Sequence, residues 1–144
     1  MKITRLLSIM AAAAVSLLYS CTEPCPSFVK VEDGLFVSED YPSHYVGTNF
    51  WYGAILASEG EGGDIERLEA ELDTLKALGM TNLRVLVGGD GPDGIPTRVS
   101  PTLQKEAGVY NDTIFRGLDR LLVEMGKRGM KAVLYMNNTW EWSG

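Results

Sequence analysis

The spacing of apolar residues changes character several times along this chain. Leu6 to Leu18 is an uncharged apolar run of 13 residues. Phe28–Val31 and Leu35–Val37 are short β-prone runs on either side of "EDG", where Gly34 can take the positive φ of a hairpin turn. A second turn at "EDYPS" leads to "HYVGTNF", an apolar run that reads as a buried strand. In "GGDIERLEAELDTLKALGM" the period lengthens: Ile65, Leu68, Leu72, Leu75 and Leu78 recur at helical spacing and leave the charges on the other face. Asp64 or Gly63 starts that helix, and Gly79 sits where a left-handed terminating residue belongs. "TNLRVLV" follows as a strand, and a long polar connection runs to Asn111, a good N-cap. Ile114, Leu118, Leu121, Leu122 and Met125 form a second helical stripe, Gly129 ends it, and "KAVLYMNN" is the next strand.

One unit occurs twice. "LKALGMTNLRVL" and "MGKRGMKAVLYM" share an apolar helix end, a Gly-Met pair and a strand, with the pairs fifty residues apart. Strands alternating with helices, and themselves nearly continuously apolar, specify an α/β fold with a parallel sheet and right-handed crossovers. The length of 144 residues, 45% of them hydrophobic, suits one globular domain.

The first twenty residues stand apart. Lys2 and Arg5 precede the apolar run, which is shorter than the roughly 18–20 residues a spanning helix needs. This is the form of a secretory signal. "LLYSC" resembles the end of a bacterial lipoprotein signal, in which Cys21 is acylated and becomes the mature N-terminus; an ordinary signal peptide cut nearby, or an uncleaved helix, are the alternatives. Residues 1–20 are then the signal, 21–27 ("CTEPCPS") a tether with Cys25 left alone, and the protein is an extracytoplasmic lipoprotein held to a membrane through Cys21. Taking Lys2 and Arg5 from 13 basic residues leaves 11 against 19 acidic ones, a net of −8. Such a surface lacks the basic footprint of nucleic-acid binding and suits a neutral substrate.

"TNLRVLVGGDGPDG" holds two candidates for chemistry. Gly89, Gly91 and Gly94 fit G-x-G-x-x-G after a strand. A phosphate cradle also needs a helix starting at the loop, and "IPTRVSPT" opposes one. Asp90 and Asp93 would repel a phosphate, and they lack the alternating ligands and late glutamate of an EF-type Ca²⁺ loop. A solvated loop fits, with no cofactor and no metal. Arg84 is the other candidate. Alternation puts Leu83, Val85 and Val87 on one strand face and Arg84 with Leu86 on the other. An isolated buried charge would cost several kcal/mol. Arg84 therefore reaches water, pairs with a local aspartate, or meets a carboxylate from elsewhere in the protein.

"YVGTNFWYG", "LKALGMTNLRVL" and "YMNNTWEWSG", in this order and separation, resemble the N-terminal third of the endo-β-1,4-mannanases of glycoside hydrolase family 5. The resemblance covers about residues 28–144. It implies an incomplete (β/α)₈ TIM barrel: three β-strands and two helices, preceded by a hairpin like the β element that closes the bottom of those barrels. It implies that Arg84 is the second-strand arginine that hydrogen-bonds the catalytic nucleophile and helps keep it ionised. Trp51 and Tyr52 would end the first strand at the catalytic face, in reversed order from many relatives. Asn137, Asn138, Trp140 and Trp142 would lie near the cleft after the third strand, binding β-mannan or a related neutral polysaccharide. Core packing is the ordinary alternative for these aromatic residues.

By the same resemblance, hydrolysis proceeds with retention through two glutamates about 5 Å apart. They belong after the fourth and seventh strands, beyond Gly144. Glu141 matches a non-catalytic acidic position, and His44 reads as structural, at the face opposite the active site. The 144-residue chain alone is expected to be inactive and poorly stable. Competing readings are a glycan-binding lipoprotein without catalysis, using Trp51, Tyr52, Trp140 and Trp142, a family 5 cellulase or exo-mannosidase, and a small nucleotide-binding α/β protein.

Overall fold

The computed structural model describes residues 28–38 and 41–144, with only the backbone at 41–42. The expected signal, the lipidated Cys21 and the tether lie outside the described residues. The chain divides into two units after His44.

In the first unit, β1 (Lys30–Glu32), β2 (Leu35–Ser38) and β3 (Tyr41–Pro42) form an antiparallel sheet in that order. Glu32 pairs with Leu35 across a two-residue turn. Asp33 and Gly34 have φ of 50° and 80°, the double positive angle of a type I′ turn, whose twist matches that of the strands. Gly34 was legible as the turn residue; β3 was not, because its "YP" carries no periodicity. His44 is exposed.

The second unit is a parallel sheet with helices on one face. Its strands are β4 (Gly47–Asn49), β5 (Asn82–Leu86) and β8 (Lys131–Tyr135), ordered β4-β5-β8. Between them come α1 (Gly53–Leu56), α2 (Ile65–Ala77), a small hairpin of β6 (Gln104–Glu106) and β7 (Val109–Tyr110), and α3 (Asp112–Lys127). Asp64 caps α2 by accepting from the Arg67 amide at 2.9 Å, and Asn111 caps α3 by accepting from Thr113 at 3.2 Å. The repeated Gly-Met pair closes both helices in one way. The amides of Met80 and Met130 reach back to Leu75 and Met125, those of Gly79 and Gly129 to Lys76 and Gly126, all at 3.0 Å. This is the Schellman arrangement, and the glycines supply its positive φ of 79° and 67°. Each helix thereby hands its chain straight to a strand.

The core lies between sheet and helices: Leu83 and Val85 of β5 pack with Leu68 and Leu72 of α2, Leu121 and Met125 of α3, and Phe50. Three expectations need correction. "HYVGTNF" is not a buried strand, since only Gly47–Asn49 pair and Tyr45 and Val46 are exposed. β4 pairs with β5 alone, so an edge strand carries little burial, and Phe50 just beyond it enters the core instead. Leu78 does not join the helical stripe; it is the C-cap of α2 and 68% exposed. The long connection before Asn111 contains the β6–β7 hairpin, turned by Gly108 at φ 80°. A further helix, α1, lies in a stretch to which the sequence reading assigned no element. It packs against α3 because Gly117 leaves room: a Cβ there would stand 2.2 Å from the Ala54 carbonyl oxygen.

Candidate functional site

The strand alternation decides where Arg84 points. Leu83 and Val85 face the helices, so Arg84 projects from the bare face of the sheet. In the parallel register Asn49 lies beside Arg84 on β4 and Val133 beside it on β8, so Tyr135, two residues further along β8, shares that face. The Arg84 Nη1 donates to Asn49 Oδ1 at 3.2 Å, and its Cζ stands 3.5 Å from the centroid of the Tyr135 ring. The side chain is exposed and makes no ion pair among the described residues. The tyrosine face supplies about 0.5–1 kcal/mol of cation–π attraction at such an exposed site. Neither Asn49 nor Tyr135 neutralises the charge.

Around this arginine opens a cleft of about 550 Å³, also lined by Trp51, Thr97, Asn138, Trp140, Glu141 and Trp142. Trp51 and Trp142 meet edge to face, with centroids 4.9 Å apart and planes at 84°. Each thus fixes the other's ring. Trp140 is 74% exposed. The structure brings Arg84, Trp51, Asn138, Trp140 and Trp142 together.

Tyr52 does not line this cleft. Its ring packs on Phe50 at 4.7 Å and on the core, and its hydroxyl donates to Glu71 of α2 at 2.7 Å. Burial, and after it the hydrogen bond to the Glu71 carboxylate, push this phenol up to about 12. The ring also meets that of Trp51 edge to face, with centroids 5.4 Å apart and planes at 83°, so of the two neighbours Trp51 lines the cleft and Tyr52 does not. Asn137 is also absent from the cleft lining; its Nδ2 donates to the Gly144 carbonyl at 3.3 Å and its Oδ1 accepts from Thr139. Asn138 shapes the same loop from within, its Oδ1 accepting from the Trp140 amide at 3.1 Å and from Ser143 Oγ at 2.6 Å.

The glycine-rich segment supports that loop from the other side. The Asp90 amide donates to the Ser143 carbonyl, Gly91 to Gln104 and Val99 to Trp142, each at 2.9 Å. The amides of Asp90 and Gly91 are thereby engaged in closing loops, and α3 begins only at Asp112. Asp93 accepts from the Thr102 amide at 2.6 Å and pairs with Lys105 at 2.7 Å. Gly88 permits the close approach of the two loops, since a Cβ there would lie 1.7 Å from the Met136 carbonyl oxygen. Sequence reading missed Thr97 and Tyr135 as cleft residues. Strand parity could have found Tyr135, which has the same parity as Val133; nothing local marked Thr97.

The pattern of the family described as GH family 5 beta-mannosidase-like matches residues 26–144. Among curated proteins, mannan endo-1,4-beta-mannosidase 1 of Oryza sativa subsp. japonica is 29% identical over 115 residues, 79% of this chain and 24% of that protein. Mannan endo-1,4-beta-mannosidase 7 of Arabidopsis thaliana is 26% identical over 143 residues, 95% of this chain and 31% of that one. Among solved structures, the glycoside hydrolase family 5 mannosidase from Rhizomucor miehei superposes with a TM-score of 0.77 at 38% identity, covering 81% of this chain and 29% of that chain. The chain thus spans about a quarter to a third of the length of the relatives it matches.

Proposed function

The chain belongs to the GH family 5 beta-mannosidase-like family, and from that premise we propose that it forms the N-terminal part of a retaining glycoside hydrolase that cleaves internal β-1,4-mannosidic bonds of mannans. The observation that carries this reading is an arginine without an ion pair among the described residues, in a tryptophan-lined cleft at the C-terminal ends of parallel strands. Active sites of (β/α)₈ enzymes sit at that end. Tryptophan faces suit the apolar faces of pyranose rings, and the acidic surface suits an uncharged polymer.

In the proposed mechanism one glutamate attacks the anomeric carbon while a second, protonated, glutamate delivers its proton to the departing glycosidic oxygen. The resulting glycosyl-enzyme is opened by water, with the second glutamate now acting as base. Arg84 contributes by stabilising the ionised nucleophile. A cation within about 4–6 Å lowers a carboxyl pKa by about 1–3 units, and Arg84 meets no carboxylate of its own within the described residues. Asn49 and Tyr135 hold the guanidinium in place. The lipoprotein reading, resting on Lys2, Arg5 and "LLYSC" before Cys21, would anchor the enzyme outside the cytoplasm, close to polymeric substrate.

Glu141 is the one carboxylate lining the cleft, and a retaining site needs two. The 144-residue chain by itself is therefore proposed to bind mannan oligosaccharides without hydrolysing them. Reducing-end release from β-1,4-mannan by the purified chain would overturn that statement. A polypeptide extended through the remaining strands of the barrel should release mannooligosaccharides with the β-anomer formed first, as followed by ¹H NMR. Initial α-anomer, or preferential turnover of cellulose, would overturn the assignment of mechanism or substrate. A binding protein without catalysis is the second reading, favoured by the same single carboxylate; inactivity of the extended polypeptide would select it.

A further inference from the structure

Glu141 is left over by the mechanism above. It lies in the cleft yet matches no catalytic position, and its environment is unusual for a surface glutamate. Its Oε1 accepts a hydrogen bond from Thr97 Oγ1 at 3.3 Å, and Oε2 has no partner among the described residues. It makes no ion pair there either, not even with Arg84 of the same cleft. The backbone beneath it is held: Trp142 and Ser143, the next two residues, accept the Val99 and Asp90 amides at 2.9 Å, joining the loop after β8 to the loop after β5. Thr97 belongs to that second loop, so the backbone beside Glu141 and one oxygen of its carboxylate are both held to the loop after β5, in a cleft whose walls include three tryptophans and Tyr135.

We propose that Glu141, positioned by Thr97, is a specificity-determining residue that reads the hydroxyl groups of a neutral pyranose lying in the tryptophan-lined cleft. The inference rests on the glycan reading of that cleft. A pyranose presents an apolar face and a rim of hydroxyl donors. Trp51, Trp140 and Trp142 match the face, but indole rings stack on gluco- and manno-configured rings alike and cannot tell them apart. An ionised carboxylate only accepts hydrogen bonds, and with one oxygen tied to Thr97 the other meets donors at one fixed place. Bonds to a charged acceptor are roughly twice as strong as neutral ones. A site built to bond a particular hydroxyl discriminates against a sugar that presents it elsewhere far better than an apolar surface does. The selectivity between manno- and gluco-oligosaccharides would then reside in Glu141 rather than in the rings.

The test measures mannotriose and cellotriose binding to the full 144-residue chain by tryptophan fluorescence, for the wild type, Glu141→Gln, Glu141→Asp and Thr97→Val. Glu141→Gln should weaken mannotriose binding by about tenfold, the loss expected for one charge-assisted hydrogen bond, and bring the two trisaccharides close to equal affinity. Glu141→Asp should recover part of the preference, and Thr97→Val should lower it by a smaller factor. The circular dichroism spectra should be unchanged, since Glu141 is exposed. If the wild type prefers mannotriose and Glu141→Gln keeps both affinity and preference, this inference is overturned while the glycan reading stands. If the wild type binds neither trisaccharide, the glycan reading fails and this inference with it.

Discussion

At the scale of single residues, the deciding feature is direction rather than identity. Arg84 was legible as a misfit in an apolar strand, and alternation alone put it on the face opposite Leu83 and Val85. Its exposure was not legible, because burial depends on what covers the bare face of the sheet. In the isolated chain Arg84→Ala should lower the midpoint of thermal unfolding only slightly, since one exposed hydrogen bond and one exposed cation–π contact are worth about 1 kcal/mol together. In a polypeptide extended through the remaining barrel strands, the proposed role of Arg84 predicts that the same change moves the acidic limb of the kcat/KM profile to higher pH by about 1–3 units. The sign follows from removing a cation that favours the ionised nucleophile; an unmoved acidic limb would exclude the electrostatic role. Trp51 and Tyr52 give the complementary case. Trp51→Ala should weaken oligosaccharide binding by about tenfold, as truncating a tryptophan anchor does. Tyr52→Phe should leave binding unchanged and lower stability by about 1 kcal/mol through the lost bond to Glu71. Titration calorimetry and chemical denaturation separate the two.

At the scale of elements, period and capping residues were sufficient for α2, α3 and β5, because each buries one face over several residues, and β8 was legible from its apolar run although none of its residues is buried. The elements that escaped notice are α1, β3 and the β6–β7 hairpin, all too short to show a period. Gly117 shows how such a short element is set. Replacing an interior helical glycine by alanine ordinarily stabilises by about 1 kcal/mol, but here the new Cβ would meet backbone at 2.2 Å. Overpacking of that kind costs about 1–3 kcal/mol, so Gly117→Ala should be destabilising, as urea unfolding would register. Helix pairing also has a pH signature. Arg128 of the α3 C-cap bridges Glu124 at 2.8 Å and Asp73 of α2 at 2.7 Å, while Lys127 meets Glu124 at 2.6 Å. Lys127, and then Arg128, hold the Glu124 carboxyl below its usual range, and Arg128 does the same for Asp73. The folded-state values lie below the unfolded ones, so the stabilisation is complete above the ordinary carboxylate range of about 4. It is lost as pH falls through the lowered values. Thermal midpoints of the wild type and Glu124→Gln should therefore differ at pH 7 and converge in acid; a constant gap would deny the linkage.

At the scale of the whole molecule, the parallel unit is part of a barrel. β4 and β8 are sheet edges, and Val133, Leu134 and Met136 at the β8 edge are 44%, 46% and 76% exposed. Exposed edges carrying apolar side chains promote association. The isolated chain should bind the dye ANS and self-associate on gel filtration, and the polypeptide extended through the remaining strands should do neither. A monomeric chain without dye binding would mean that three strands suffice.

What the amino-acid order determined unaided was the alternation of helices and strands, the glycines that hand each helix to the next strand, and the placing of an arginine apart from the core. These depend on interactions between residues near one another in the chain, so they are written locally. The tertiary structure alone decided which of two adjacent aromatic rings faces the cleft, that Thr97 reaches Glu141 across 44 positions, and that the glycine loop braces a neighbouring loop instead of cradling a phosphate. Each of those depends on where separate segments come to rest against one another, which no local pattern encodes.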